Sequence, residues 1–134
     1  MGSPEEDYRD APILYPALQM IDLVCEASRA TGGYSNQVLS RCNDHCLRLA
    51  VLEGEYPWHV HPSSDELFLV MEGCLEIELS DGRLYRLTAW QSVTIPAGTV
   101  HRTRAIGRTV NLCFESLEAE TKFLEAKRDG ELPR

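Results

Sequence analysis

The sequence predicts an all-β protein, a sandwich or small barrel built from many short strands. Between residues 37 and 115, short runs of alternating apolar and polar residues follow one another at regular spacing. The alternation is clearest where Leu75, Ile77 and Leu79 share one face of a strand. Turn signals such as Asp81-Gly82 separate the runs. At 134 residues the chain fits one domain with a substantial core.

Segments of different character flank the strands. In residues 1–33 we expect an extended arm and a short helix over 16–29. We expect the barrel in residues 34–115. Residues 116–134 predict a second helix, over 117–128, and a tail. Gly54 and Gly107 are interpreted as the ends of strands, so that Gly107 would turn the chain between two of them. The strands are expected at 37–41, 47–52, 59–61, 66–71, 74–79, 84–87, 92–95, 100–106 and 109–115.

Composition excludes several classes of partner. The formal net charge of −8 argues against binding to nucleic acid or to an anionic membrane surface. No apolar run approaches the roughly 20 residues that a membrane-spanning helix needs. The N-terminal residues are acidic and lack a secretion signal, and the odd number of cysteines, five, suits a reducing compartment. We therefore expect a cytoplasmic protein.

A cluster of potential metal ligands lies near the middle of the chain. His59 and His61 are two apart, so on a strand their side chains share one face, about 7 Å apart along the backbone. Residues 62–64 indicate a turn, and Glu66 then opens a strand that would return beside the first. Two imidazoles and one carboxylate can therefore face the same point.

A fourth candidate ligand is His101, which follows a Pro-x-Gly turn at 96–98. Three imidazoles and one carboxylate suit a divalent transition ion such as iron, manganese, nickel, copper or zinc. Calcium and magnesium would require mainly oxygen ligands. His45 lies between Cys42 and Cys46, but no matching pair elsewhere completes a zinc site, so it is not counted as a ligand.

These residues fall on two motifs that resemble those of the cupin superfamily. The first cupin motif, Gly-x5-His-x-His-x3-4-Glu-x6-Gly, is matched with one residue fewer in its first gap. The second, Gly-x5-Pro-x-Gly-x2-His-x3-Asn, has Trp90 in place of its glycine and Ala105 in place of its asparagine. The resemblance covers about residues 46–115. The matched positions are Gly54, His59, His61, Glu66, Gly73, Pro96, Gly98 and His101.

The resemblance implies a double-stranded β-helix, or jelly-roll barrel of the RmlC-like type, with short N- and C-terminal helices. It also implies one divalent transition ion, iron, manganese, nickel or zinc, inside the barrel mouth; the alternative is a barrel that kept the motif and lost the metal. Similar cupins include dioxygenases, sugar isomerases and epimerases, decarboxylases and lyases. A metal-dependent enzyme acting on a small chelating metabolite is expected, with Glu66 able to accept a proton. The alternative is a module that binds or senses a sugar or metabolite without turning it over.

Other side chains are assigned by the face they share. Phe68 and Val70 share the face of Glu66, and Thr103 that of His101, so these three are candidates for ligand binding. Tyr56, Tyr85 and Thr103 are possible second proton-transfer groups. Trp58, Val60, Asp65, Arg102 and Arg104 are expected to face away from the metal.

The strand at 66–71 also predicts self-association. Leu67, Leu69 and Met71 make its second face apolar as well, so both faces must be covered. The cover could be the N-terminal segment or a second subunit. A homodimer is expected, since cupins commonly pair through sheet faces.

Overall fold

A computed structural model describes residues 11–125. In this range the chain has one helix and eight strands. Their bounds are α1 Leu23–Arg29, β1 Tyr34–Cys42, β2 His45–Val60, β3 Glu66–Glu72, β4 Leu75–Leu79, β5 Leu84–Leu87, β6 Ser92–Ile95, β7 His101–Ser116 and β8 Lys122–Phe123.

Two long antiparallel strands, β2 and β7, organise the barrel. They pair with each other along almost their whole length, and the order β1-β2-β7-β3-β6 forms the main path of the sheet. The first part of β7 also pairs with β4, which in turn pairs with β5, whereas its last part pairs with β3. One strand therefore belongs to both layers. This arrangement confirms the predicted all-β jelly roll.

The two faces of the sheet carry two separate apolar clusters. The interior cluster contains Leu52, Phe68, Val70 and Ile77, all buried. An outer cluster contains Leu39, Leu49, Val51, Val110 and Leu112. A sheet that is apolar on both faces needs cover on both.

The N-terminal segment supplies part of the outer cover. Ala27 of α1 is buried in the outer cluster, and Arg108 of β7 fixes the helix by donating from Nη2 to the Ala27 carbonyl oxygen at 2.7 Å. Leu69 and Met71 pack against this cluster. The sequence left two covers open for the outer face of β3, the N-terminal segment or a second subunit. The N-terminal segment covers part of that face.

The predicted N-terminal helix is shorter than expected. It begins at Leu23, because the Asp22 carboxylate caps it by accepting from the Cys25 backbone N–H at 3.0 Å. Before it, Pro16 and the left-handed backbone of Leu18, at φ 71°, are incompatible with continued helix.

The predicted C-terminal helix is wrong over its described part. Residues 117–125 contain a turn and the short strand β8, and the remainder of the prediction, 126–128, lies outside the described residues. β8 pairs with the free edge of β2, and the Leu124 backbone N–H donates to the Trp58 carbonyl oxygen at 2.9 Å. An unpaired strand edge offers backbone hydrogen bonds, and these outweigh the local helix-favouring pattern of residues 117–128.

Gly54 and Gly107 do not end their strands. β2 and β7 continue through them, and both glycines adopt positive φ angles, 78° and 73°. The register between the two strands shifts beside Gly54. The glycines therefore bend a continuous pair of strands from one layer of the barrel into the other.

In residues 11–125, no helix is long and apolar enough to cross a membrane. The five cysteines all lie in this range and are unpaired.

Candidate metal centre

Three strands and one loop bring the four candidate ligands to one end of the barrel interior. His59 near the end of β2 lies directly opposite His101 at the start of β7. Glu66 opens β3, and His61 follows the last residue of β2. The spacing of the first motif thus delivers three of the ligands from adjacent segments, and the Pro-x-Gly turn delivers the fourth.

The ligand atoms of these four side chains all lie within 4.8 Å of one another. His61 Nε2 is 3.1 Å from Glu66 Oε1, and His101 Nε2 is 3.5 Å from the same oxygen. The four residues are between 1% and 6% exposed. A group of donors this compact and this buried is close enough to hold a single ion.

Backbone carbonyl groups fix how each imidazole is oriented. The Nδ1 atoms of His59, His61 and His101 lie 2.8, 3.0 and 2.8 Å from the carbonyl oxygens of Pro57, Glu120 and Thr99. An Nδ1–H that donates to a carbonyl leaves Nε2 with its lone pair free. The structure therefore turns the Nε2 atoms of the three imidazoles toward the cluster that contains Glu66.

Several of these atoms have no ordinary hydrogen-bond partner. Among the described residues, His61 Nε2, His101 Nε2 and Glu66 Oε1 are buried without an aligned hydrogen bond, although their separations are short. Leaving such groups unsatisfied costs on the order of 1–3 kcal/mol each. A metal ion bound by all three would remove that cost, so the residues present fit a divalent transition ion.

The pKa shifts reflect burial and the central carboxylate. Burial lowers the pKa of His59 to about 3, so this imidazole is neutral. Burial alone would lower the pKa of His61, but contact with Glu66 and the charge of Glu115 outweigh this effect and raise the pKa to about 9. Burial alone would raise the pKa of Glu66, yet His101 and His61 hold it below its usual range. The raised pKa of His61 means that a proton competes with a metal ion for this imidazole.

A buried ion pair lies behind His61. Arg48 Nε is 2.9 Å from Glu115 Oε1, and the other oxygen of Glu115 is 3.8 Å from His61 Nε2. Arg48 and Glu115 are almost completely buried. Buried charges persist in proteins when they are paired. The ion pair therefore places two fixed charges beside the ligand residues, with Glu115 on the side of His61.

A cavity opens beside the ligand residues. Its volume is about 40 Å³, and His59 and Glu66 form part of its wall. Phe68 and Thr103, two of the predicted ligand-binding residues, also line it. Val70, the third, is 0% exposed in the interior cluster and does not appear on the cavity wall.

Four of the side chains expected to face away from the ligands do so: Trp58, Asp65, Arg102 and Arg104. Arg102 and Arg104 pair with Glu78 and Glu76 on the outer face, and the Arg102 guanidinium lies 4.9 Å from the centre of the Trp58 ring. Asp65 is exposed and accepts a hydrogen bond from the Ala97 backbone at 2.8 Å. His45 is exposed and pairs with its neighbour Asp44 rather than with either cysteine.

The two departures from the second motif are also explained by their surroundings. Trp90 has a left-handed backbone, with φ 67°, which glycine adopts without strain, and its side chain is 71% exposed. Ala105 is buried in the interior cluster, where it lies opposite Leu75. The chain therefore keeps the turn while carrying a strained residue in it.

Comparison with known proteins agrees with this fold and ligand set. The sequence pattern of the Cupin domain family matches residues 47–115, slightly more than half of the chain. The chain is a cupin. This cupin is 50% identical to the Bacillus subtilis (strain 168) protein YdbB over 107 residues, which cover 80% of this chain and 95% of YdbB. The cupin resemblance of the sequence is thereby confirmed.

Two further proteins place this cupin among its relatives. The crystal structure of a cupin-2 domain protein from Shewanella frigidimarina superposes with a TM-score of 0.68, at 32% identity, over 72% of this chain and 93% of that one. Quercetin 2,3-dioxygenase of Bacillus subtilis (strain 168) is 40% identical over 69 residues, 52% of this chain. That match covers only 20% of the dioxygenase.

Sequence reasoning missed the polar residues deeper in the cupin barrel. Asn36, Arg48, Asn111 and Glu115 all face the interior, together with the Cys113 thiol. The signal was present in β7, where every second residue after His101 keeps the same face. It was lost because Gly107 was interpreted as a turn, which separated residues 109–115 from the face of His101.

Proposed function

We propose that this cupin binds one divalent transition ion through His59, His61, Glu66 and His101 and acts as a metal-dependent enzyme on a small metabolite that chelates the ion. The observation that carries the proposal is the convergence of three oriented Nε2 atoms and one carboxylate within 4.8 Å at a cavity wall. Iron, manganese, nickel and zinc all suit this ligand set. A bound ion would supply Lewis-acid or redox chemistry and a template for the substrate.

The residues around the ion would hold and shield the substrate. Phe68 gives the cavity an apolar wall with its ring edge-on to His101, and Val70 completes the packing behind it. Thr103 also lines the cavity and carries a hydroxyl group. Tyr56, whose ring lies 4.8 Å from that of His59, stays a neutral phenol because burial raises its pKa.

Glu66 is the residue we assign to proton transfer. Its carboxylate contacts His61 and His101 in the ligand set and also lines the cavity, so it can reach both the ion and a substrate. Accepting a proton from a bound hydroxyl or carbon acid is the step this position allows. Tyr85 lies on β5 and does not appear on the cavity wall, so it is not assigned a role.

Two reaction classes fit this site. Oxygen-dependent cleavage is favoured by the similarity to quercetin 2,3-dioxygenase, whereas isomerase or lyase chemistry needs only the Lewis acid and Glu66. Elemental analysis of protein purified without chelators separates the two: iron or manganese favours dioxygenase activity, and zinc or nickel favours isomerase or lyase activity. Dioxygen uptake with small hydroxylated or 1,3-dicarbonyl compounds tests the first class directly.

A second candidate function is binding or sensing without turnover. It is favoured because the buried charged residues beside the ligand set, Arg48 and Glu115, are paired with each other and do not line the cavity. They are therefore not placed to exchange protons with a ligand in the cavity. Tight binding of a chelating metabolite with no change in that compound over hours would support the sensing function and contradict the enzymatic one.

We further propose that the protein is a cytoplasmic homodimer. Phe114 on the outer face of β7 is 41% exposed and lies opposite both Leu47 and Leu67, outside the cover given by α1. Pairing of this face with a second copy would bury these side chains. The unpaired cysteines suit a reducing compartment.

A further inference from the structure

Two carboxamide groups face the cavity at a distance from the metal ligands. Asn36 on β1 lies opposite Ala50 on β2, and Ala50 lies opposite Asn111 on β7. The three residues form a row across adjacent strands, which places the two asparagine backbones about 10 Å apart at ordinary strand spacing. All three line the cavity that His59 and Glu66 border at its other end.

The amide nitrogen of each asparagine is already engaged. Asn36 Nδ2 donates to the Tyr34 hydroxyl oxygen at 3.2 Å, and Asn111 Nδ2 donates to Cys113 Sγ at 3.0 Å. The oxygen of each amide is buried and has no partner among the described residues. Asn111 itself is 2% exposed. A buried acceptor without a partner is costly, so its retention points to a ligand that satisfies it.

The neighbouring side chains make this region neutral. Burial raises the pKa of Tyr34 to about 12, so its ring carries an uncharged hydroxyl group. In the part of the chain that the structure describes, the cavity wall contains neither lysine nor arginine. An anionic group placed here would meet two carbonyl oxygens, and the nearest interior cation, Arg48, is already paired with Glu115.

From these contacts we infer that Asn36 and Asn111 select an uncharged ligand that carries hydroxyl or N–H donors at the end remote from the metal. The inference rests on the proposed function, since the other end of that ligand would chelate the ion. It narrows the substrate class to small neutral hydroxylated compounds. A substrate ending in a carboxylate or phosphate at this position is excluded.

The test uses three hydroxamic acids that share a metal-binding head and a two-methylene spacer. Butanohydroxamic acid ends in a methyl group, 3-hydroxypropanohydroxamic acid in a hydroxyl group, and succinic acid monohydroxamate in a carboxylate. Their affinities for the zinc-loaded protein are measured by calorimetry, with zinc content determined on the same samples. The variants are Asn36→Leu and Asn111→Leu. Gln37→Leu is the matched control, because Gln37 lies on the same strand as Asn36 and is exposed on the opposite face.

In the native protein and the Gln37→Leu variant, the hydroxyl-ended probe should bind about tenfold more tightly than the methyl-ended one, as one satisfied buried acceptor predicts. The carboxylate-ended probe should bind most weakly. Because one hydroxyl group donates to one amide oxygen, the hydroxyl preference should fall toward unity in at least one of the two asparagine variants while zinc content stays unchanged. Equal affinities for the methyl and hydroxyl probes, a preference for the carboxylate, or an unchanged preference in both asparagine variants would overturn the inference. A native protein that binds no zinc would overturn the proposed function, and the inference with it.

Discussion

His59 and His101 lie directly opposite each other on β2 and β7, with ring centroids 4.2 Å apart. Both rings donate from Nδ1 to a carbonyl oxygen two residues earlier in their own segment, Pro57 for the first and Thr99 for the second. The same local device therefore orients the two imidazoles from facing strands. Their Nε2 atoms are fixed by the backbone before any ion arrives, which lowers the cost of assembling a site.

Metal affinity should rise with pH. The pKa of His61 is raised to about 9 beside Glu66, so at pH 7 a proton must leave this pair before an ion can bind. Below that pKa the zinc affinity should increase about tenfold per pH unit, because one proton competes with one ion. Calorimetry in buffers of different ionisation enthalpy measures the proton released. Affinity that stays flat between pH 6 and 8 would show that no proton is displaced; the His45→Ala variant, altered outside the ligand set, should keep the native slope.

Trp90→Gly should stabilise the protein. Trp90 occupies a left-handed backbone conformation at φ 67°, which costs a residue with a Cβ on the order of 1 kcal/mol and costs glycine little. The free energy of unfolding, measured with urea, should rise by about 1 kcal/mol. Trp90→Ala is the matched control, because it removes the exposed ring but keeps the Cβ. If Trp90→Gly and Trp90→Ala are equally stable, the change in the free energy of unfolding comes from loss of the ring and not from relief of backbone strain.

Arg48→Met should destabilise the protein severely. The substitution leaves the Glu115 carboxylate buried without its 2.9 Å partner, and breaking a buried pair in this way costs about 3–5 kcal/mol. The double variant Arg48→Met, Glu115→Leu should recover much of that loss, since no unpaired charge remains. Urea unfolding of metal-free protein measures both variants. A double variant that is no more stable than Arg48→Met would show that the unpaired Glu115 charge is not the cause of the lost stability.

The sequence predicted the ligand set because its geometry is local. His59 and His61 share a face by strand alternation, Glu66 returns across a short turn, and His101 follows a Pro-x-Gly turn, and each of these relationships depends on only a few consecutive residues. The structure brings all four together. The barrel was likewise predictable from short alternating runs between recognisable turns.

What the sequence did not reveal depends on contacts between distant segments. The carbonyl oxygen of Glu120 lies 3.0 Å from His61 Nδ1, 59 positions away, because β8 pairs with an edge of β2. The local residue pattern favoured a helix there. The interior position of Asn111 required knowing that β7 continues through Gly107, since a glycine can either turn a strand or bend it.

Association through the outer face should be measurable in solution. Light scattering at micromolar concentration should give about twice the chain mass of 15.1 kDa. Phe114→Glu, which places a charge on the exposed apolar face, should shift the protein to monomer. Trp90→Glu is the control, because Trp90 is exposed but lies outside the main sheet pairing of β2, β3 and β7. A monomeric native protein would contradict the dimer.

The most direct test of the metal centre is the metal content per chain of five single variants, His45→Ala, His59→Ala, His61→Ala, Glu66→Ala and His101→Ala, each prepared in the same way as the native protein. Circular dichroism of every sample establishes that the strands are retained. Native protein and His45→Ala should bind close to one equivalent, because His45 is exposed and paired with Asp44. The other four should lose most of the metal and also the stability that it contributes, since binding energy is folding energy. Full metal content in those four variants, or equal loss in all five, would contradict the assignment of His59, His61, Glu66 and His101 as the ligands.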